Sequence, residues 1–133
     1  MPEIELRRLR PGDEEVVRAL ATRVAGVELL RDERTVFVCA FAEGEPVGFA
    51  FGYVLPRRHG PPASLFVYEL EVDERHRRRG LGTTLMRRLG EEAGASEGFV
   101  LTEPDNEAAN ALYRSLGGSA SEVVQWDFHY ADD

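Results

Sequence analysis

The sequence contains no lysine and only one cysteine among its 133 residues. With one thiol, Cys39, the chain cannot form an internal disulfide, and the apolar run TVFVCAF around it indicates a core position. Three histidines, His59, His76 and His129, show no metal-ligand spacing, so no metal site is predicted. No apolar run approaches the ~20 residues of a membrane span, and nothing resembles a signal peptide, so we expect a cytoplasmic protein without membrane contact.

Positive charge is also in deficit, because 24 acidic residues outnumber 16 basic ones and leave a net charge of −8. This balance argues against general nucleic-acid binding, which needs a basic face. It fits a cationic small-molecule partner, which a negative cleft would attract. It fits equally well a protein whose surface charge only maintains solubility.

Hydrophobic periodicity predicts a single α/β domain, residues 1–133, in the order β-α-β-β-β-α-β-α-β around a mixed sheet. The predicted strands are a short one from Ile4 and those at residues 35–42, 47–54, 64–72, 99–102 and 123–130. The predicted helices are one capped by Asp13, one over 80–93 and one over 106–116 that is closed by Gly117 and Gly118. Residues 24–30 either extend the first helix or form another.

The strand SLFVYELEV, residues 64–72, carries two carboxylates at its end. Strict alternation assigns its side chains to two faces, with Leu65, Val67, Glu69 and Glu71 on one and Phe66, Tyr68, Leu70 and Val72 on the other. In the preceding strand, Gly48 and Gly52 indicate bends or close packing.

The segment ERHRRRGLGTTLM, residues 74–86, follows this strand and opens the next helix. Its pattern Arg77-x-x-Gly80-x-Gly82 combines positive charge, free helix amides and glycines that let a ligand approach the backbone, which suits phosphate. It is neither a Walker loop nor a dinucleotide fingerprint, since Leu85 stands where a third glycine is needed. The segment therefore predicts a pyrophosphate site, with a charged turn and helix cap as the alternative.

Placed after YELEV, this pattern resembles the acetyl-CoA motif of the GCN5-related N-acetyltransferases. A second pattern, Asn106-x-x-Ala109-x-x-Leu112-Tyr113-x-x-x-Gly117, resembles the late helix of that family at the expected separation. FVYELEV, NALYRSLG and SEVVQWDF further resemble the aminoglycoside 3-N-acetyltransferases of the gentamicin-modifying kind. The resemblance implies the GNAT fold, with a mixed, mostly antiparallel central sheet flanked by helices and a splayed CoA-binding cleft.

The resemblance also implies how acetyl-CoA is held. Strand backbone would pair with the pantetheine arm where a bulge opens the strand, loop amides would hold the pyrophosphate, and arginines would reach the 3′-phosphate or adenine. The implied cofactor-binding residues are Leu70, Glu71, Val72, Arg77, Arg78, Arg79, Gly80, Leu81, Gly82, Thr83, Asn106, Asn110 and Tyr113. Asn106 equally suits the helix N-cap, and the two roles are compatible.

Acetylation of an amine requires a neutral amine, a polarised carbonyl and an acid for the departing thiolate. By resemblance Glu69 is the general base, with Glu71 the second candidate, and binding of substrate ammonium groups is the open alternative for both. Tyr113 matches the tyrosine that protonates the thiolate in the family, or is a packed aromatic. Three further acidic residues either extend a negative acceptor cleft or are surface charges: Glu103, Asp105 and Asp127.

The expected reaction is direct acetyl transfer, in a ternary complex, to a primary amine of a cationic substrate, first an aminoglycoside at its 3-amino group. Alternatives are a polyamine, another small amine or a protein amine as acceptor. Two further alternatives belong to other functional classes. One is a non-catalytic acyl-CoA-binding module, and the other is a nucleic-acid binder, which the net charge argues against. Aromatic residues near the C-terminus favour a homodimer: Trp126, Phe128 and Tyr130.

Overall fold

The computed structural model describes residues 3–20 and 27–131, and the chain forms two compact units, Met1–Thr102 and Glu103–Asp133. The strands of the first unit are β1 (Ile4–Arg8), β2 (Thr35–Ala42), β3 (Glu45–Leu55), β4 (Ser64–Val72) and β5 (Glu97–Val100). Its helices are α1 (Glu14–Leu20) and α2 (Leu81–Ala93), and short 3-10 helices cover Val27–Arg31 and Glu74–His76. The second unit contains α3 (Glu107–Ser115).

The five strands form one mixed sheet in the order β1-β2-β3-β4-β5. Neighbours from β1 to β4 are antiparallel, and β5 runs parallel to β4. A parallel pair needs a crossover connection, which α2 provides between β4 and β5. The predicted α/β class with a mixed, mostly antiparallel sheet is therefore confirmed.

Strand β2 is buried along its whole length because layers cover both faces of the sheet. On one face it packs with α2, in a cluster that includes Val36, Val38, Leu85 and Leu89. On the other it packs with α1, in a cluster that includes Val17, Phe37, Cys39 and Phe49. An apolar run without alternation is the expected sequence of such a strand.

Cys39 lies in the second of these clusters and is fully buried. Burial raises the pKa of its thiol to about 12, and this effect outweighs the opposing influence of Arg7. The thiol therefore stays protonated near neutral pH, and since the thiolate is the nucleophilic form, the predicted core role is confirmed.

Strands β3 and β4 change register at one point. Phe51 pairs with Glu69 but Gly52 pairs with Val67, so Tyr68 is an extra residue in β4. A Cβ atom on Gly52 would lie 2.4 Å from the backbone oxygen of Phe66, which shows how closely the two strands approach there. The close packing predicted at Gly52 is therefore confirmed.

This bulge overturns the side-chain alternation predicted for β4. Leu70 and Val72 pack into the same α2-side cluster as Leu65. Glu69 and Glu71 consequently lie on the opposite face, whereas strict alternation places them with Leu65. The prediction was wrong because one extra residue exchanges the faces of all the residues that follow it.

The predicted bounds of β2 and β4 are confirmed, whereas β5 lies two residues earlier than predicted. The strand predicted at 123–130 is wrong: residues 119–131 have no strand pairing within the described chain, and Trp126 and Tyr130 are 76% and 93% exposed. Apolar alternation indicates which side chains could be buried together, but a strand also needs a hydrogen-bonded neighbour. Of the segment predicted to be helical at 24–30, residues 24–26 lie outside the described residues.

Helix α3 ends as predicted at the two glycines. Gly117 has a φ of 91°, and its N–H donates to the carbonyl of Arg114 at 3.0 Å. The N–H of Gly118 donates to the carbonyl of Tyr113 at 3.0 Å. These two bonds form a Schellman motif, which requires a residue that tolerates the left-handed conformation.

The close approach at Gly52 generates a test of the bulge. We expect Gly52→Ala to lower the free energy of unfolding by about 1–3 kcal/mol, because the added methyl group overlaps a backbone oxygen. Gly90→Ala is the matched control, since this helical glycine has open space around its Cβ direction. That change should raise stability by about 0.5–1 kcal/mol. Urea unfolding measures both, and equal effects would contradict the crowded site at Gly52.

Candidate functional site

The end of β4 presents an open backbone edge. Strand β5 pairs only with the first four residues of β4, up to Val67, and no other described strand takes its place along the rest. On the β3 side, the N–H of Asp73 donates to the carbonyl of Val47 at 2.8 Å. Antiparallel pairs alternate between bonded and non-bonded, so the N–H and C=O groups of Leu70 and Val72 point away from β3.

These groups lie on the edge of β4 beyond the last residue that pairs with β5. The bulge that the resemblance implies is thus present, and the edge after it has no strand partner among the described residues. Arg77 donates its Nε to the carbonyl oxygen of Val72 at 3.0 Å and so ties the loop after β4 to this edge. An extended, amide-containing ligand could bond to the remaining groups as an added strand does.

The loop that follows β4 leads into α2 through two left-handed residues, Arg78 with a φ of 65° and Gly80 with a φ of 74°. The first backbone bond of α2 runs from the N–H of Thr84 to the carbonyl of Gly80, at 3.1 Å. The helix amides that precede this bond are those of Leu81, Gly82 and Thr83. They remain for a ligand at the positive end of the helix dipole.

Two observations favour an anion site here over a charged turn with a helix cap. Gly80 has no side chain to cap α2, and the described chain supplies no side-chain cap bond there. Arg77, Arg78 and Arg79 are all exposed beside the free amides. We call residues 77–83 the cradle; its free amides and arginines suit a diphosphate.

Glu69 and Glu71 lie directly before the cradle and are both exposed. They pair with Phe51 and Phe49, so both stand on the α1-side face of the sheet. Two residues along a strand correspond to roughly 7 Å. The two carboxylates therefore form a negative patch beside the open edge, as predicted, although on the other face from the one that alternation assigned.

The second unit holds the three predicted residues of α3. Asn106 accepts a hydrogen bond from the N–H of Ala109 at 3.1 Å, which confirms its N-cap role. The side-chain amide of Asn110 donates hydrogen bonds from its Nδ2 to the backbone oxygens of Asn106 and Glu103, at 2.9 and 3.0 Å. The ring of Tyr113 is partly buried, and burial raises the pKa of its hydroxyl, which therefore stays protonated near neutral pH. Their roles toward the cofactor stay predictions.

The other acidic candidates, Glu103, Asp105 and Asp127, also belong to the second unit and are exposed. Asp127 accepts a hydrogen bond from the side-chain amide of Gln125 at 2.9 Å. Across the described ranges, no group of three potential ligand side chains could hold a metal ion. No helix found in those ranges has the length and apolar character needed to cross a membrane.

The structure also places two tyrosines, Tyr53 and Tyr68, on the face that carries Glu69; neither is among the predicted site residues. Tyr68 is the extra residue of the bulge, and its ring contacts that of Phe51, whose backbone partner is Glu69. The signal in the sequence is indirect. Gly52 marks the close approach of the strands, but only the pairing shows which residue of β4 is extra.

Comparison with known proteins defines the class to which this fold and site belong. The model of the acetyltransferase (GNAT) family matches residues 4–117, and the chain belongs to that family. Its members use acetyl-CoA, and related structures have been crystallised with CoA, which confirms the predicted cofactor.

Particular relatives differ in the acceptor that their names give. L-2,4-diaminobutyric acid acetyltransferase of Streptomyces coelicolor is 38% identical over 77 residues, which cover 55% of this chain and 44% of the relative. An aminoglycoside acetyltransferase from an uncultured soil metagenomic sample is 26% identical with a TM-score of 0.81, over 97% of this chain and 99% of the other. An aminoglycoside N-acetyltransferase in complex with CoA has a TM-score of 0.79 at 22% identity, over 96% and 100%. The chain spans less than half of the first relative's length.

The two ends of α2 offer a test of the cradle. Gly80 and Gly94 are both left-handed, and both have open space where a Cβ would lie. Alanine at either should cost about 1–2 kcal/mol of stability through backbone strain. Only Gly80→Ala shifts the amides of the cradle, so we expect it alone to weaken CoA binding, by roughly tenfold. Calorimetric titration with CoA checks this, and equal affinities of the two variants would contradict the placement of the cradle.

Proposed function

We propose that the chain is an acetyl-CoA-dependent N-acetyltransferase that acts on a primary amine of a small cationic substrate. The observation that carries this proposal is the position of Glu69 and Glu71, exposed on one face of β4 directly before the cradle. An anionic cofactor is attracted to the cradle, and an ammonium group is attracted to the carboxylates. The two ligands would then meet at the open end of β4.

The proposed reaction needs only residues already described. When bound, acetyl-CoA supplies an activated acetyl group as a thioester. In our proposal Glu69 first takes one proton from the ammonium group, which leaves a neutral amine. Transfer then forms the N–C bond and breaks the C–S bond, and Tyr113 donates a proton to the departing sulfur. The second proton that leaves the nitrogen replaces the proton of Tyr113, so that one proton in total, the one on Glu69, passes to solvent. We propose direct transfer, which is supported by the state of the sole thiol: Cys39 is buried and protonated, so it is unsuited to form an acyl-enzyme.

For cofactor binding we propose three sets of groups. The backbone of Leu70, Glu71 and Val72 lies at or beside the open edge and would pair with the pantetheine arm. The cradle would hold the pyrophosphate, and its arginines would reach the 3′-phosphate or the adenine. Asn106 and Asn110 of α3 are proposed as further contacts by family resemblance, beyond the hydrogen bonds that they make within their own unit.

As acceptor we propose first an aminoglycoside, acetylated at its 3-amino group. An aminoglycoside carries several ammonium groups, which a pair of exposed carboxylates can bind. The whole-chain similarity to an aminoglycoside acetyltransferase supports this choice. Glu103, Asp105 and Asp127 are proposed as additional acceptor contacts, and a homodimer remains part of the proposal.

A second acceptor is favoured by a separate observation. The sequence relative from Streptomyces coelicolor is named for L-2,4-diaminobutyric acid, a small molecule with two amino groups. A short diamine can place one amine at Glu69 and the other at a neighbouring group. Both candidates are therefore primary amines on molecules that carry more than one amino group.

The acceptor is tested by release of the free CoA thiol with a panel of gentamicin, L-2,4-diaminobutyrate, spermidine and a peptide with a free N-terminus. We expect turnover with gentamicin, and no turnover with gentamicin already acetylated at its 3-amino group. If only another amine of the panel is acetylated, that amine replaces the aminoglycoside as the proposed acceptor. Binding of CoA with no acetylation of any amine would indicate a non-catalytic module.

Glu69 and Glu71 permit a comparison of the same chemical change two residues apart. We expect Glu69→Gln to lower kcat by roughly 100- to 10,000-fold near neutral pH, as loss of a general base does. The deficit should shrink as pH rises, because the amine then loses its proton without help. Glu71→Gln should mainly raise the acceptor KM. Measurements of kcat and KM from pH 6 to 10 test these expectations. An unchanged kcat in Glu69→Gln would show that Glu69 is not the general base.

A further inference from the structure

Two tyrosine rings meet at the point where β4 bulges. Tyr53 near the end of β3 and Tyr68 in the bulge have ring centroids 5.5 Å apart, with the ring planes inclined at 70°. Tyr68 is 55% exposed, and Tyr53 is partly exposed. We call these residues the tyrosine pair; it presents two inclined aromatic surfaces beside the solvent.

The tyrosine pair is held in place by a buried neighbour. Phe51, which is 6% exposed, contacts Tyr53 edge-on at 6.0 Å and Tyr68 at 5.6 Å between centroids. Each of these distances lies in the range of favourable ring contacts. The arrangement is therefore present without a ligand, so a ligand would not have to order it on binding.

A negative charge lies next to the tyrosine pair. Glu69 follows Tyr68 in the chain and pairs with Phe51, so it stands on the same face. The pKa of Tyr53 is raised first by burial and then by Tyr68, Asp32 and Glu69, which places its hydroxyl within electrostatic reach of that carboxylate. Aromatic faces together with a carboxylate are the groups that recognise an alkylammonium ion.

We propose that Tyr53 and Tyr68 form a subsite for a protonated amino group of the acceptor, beside the amine that reacts at Glu69. This inference rests on the proposed function and narrows its substrate class. The reacting amine must lose its proton, whereas aromatic faces attract a cation. The group at the tyrosine pair is therefore a second amine that keeps its proton, and the preferred acceptors carry at least two amino groups.

The alternative role of the tyrosine pair is packing alone. Packing would make both residues matter for thermal stability, but not for discrimination between acceptors. Phe99 of β5 supplies a matched control, because it is a 46% exposed aromatic that stacks on Phe66 of β4 at 4.7 Å. Phe66 in turn contacts Tyr68 at 5.7 Å, so replacement of Phe99 removes exposed aromatic area one ring away from the tyrosine pair.

The test uses the full chain and the best acceptor of the amine panel, with tetramethylammonium as an unreactive probe. We expect tetramethylammonium to inhibit competitively against the amine and not against acetyl-CoA. Tyr68→Leu and Tyr53→Leu should each raise the acceptor KM and the inhibition constant by roughly 3- to 30-fold, with kcat and the KM for acetyl-CoA unchanged. Tyr68→Phe, which keeps the ring, should behave as the native chain, and so should Phe99→Leu.

The outcomes separate this inference from the proposed function. If the native chain acetylates no amine, both the proposed function and the subsite are refuted. If it acetylates amines while the leucine variants keep the native acceptor KM and inhibition constant, the subsite alone is refuted. Melting temperatures identify a variant that does not fold. In that case Tyr68→Gln replaces the leucine variant, because Tyr68 is the more exposed of the two tyrosines, and the same increase in acceptor KM and inhibition constant is expected.

Discussion

The single-residue bulge of β4 at Tyr68 determines which groups meet at the functional end of the sheet. Before the bulge, Leu65 and Val67 pack against α2; after it, Leu70 and Val72 do so. The sheet thus keeps an apolar α2 face along its whole length. The extra residue places the two carboxylates on the α1-side face, which is exposed at this end of β4, so their charge does not have to be buried.

The bulge depends on the glycine opposite it. No side chain fits at Gly52, because a Cβ there would overlap the backbone oxygen of Phe66. Beyond this point β4 and β5 no longer pair, and the backbone groups of Leu70 and Val72 lie on the open edge of β4. A requirement for one small residue in β3 is in this way linked to the backbone edge that we propose for the cofactor.

The parts of the fold that the sequence predicted well are those in which one pattern has one cause. Strand β2 is buried on both faces, so its continuous apolar run indicates only a buried strand, and its predicted bounds are correct. The exposed arginines and the free helix amides of the cradle follow from arginine and glycine at a helix start, while pyrophosphate binding there stays a prediction. Both N-cap and C-terminal signals of α3 held for the same reason.

The failures have equally specific causes. Alternation along β4 cannot reveal a bulge, since the evidence for the extra residue lies in the partner strand. Alternation at 123–130 indicates an apolar side but not a hydrogen-bonding neighbour, and within the described chain that segment has no strand pairing. Tyr53 and Tyr68 could not be linked to Glu69 from spacing, because they are 15 positions apart and meet only through the register of β3 and β4.

One strand carries the groups proposed for two ligands of opposite charge. The open backbone edge of β4 and the cradle suit an anionic cofactor, while the side chains of Glu69 and Glu71 suit a cationic acceptor. These two sets of groups are independent, since the first consists mainly of backbone and the second of side chains on one face. The family relation therefore defines the cofactor, whereas relatives with the same cofactor can differ in acceptor, as their names do. The acceptor has to be inferred from the face that β3 and β4 share, where the register of the two strands brings the carboxylates and the tyrosine pair together.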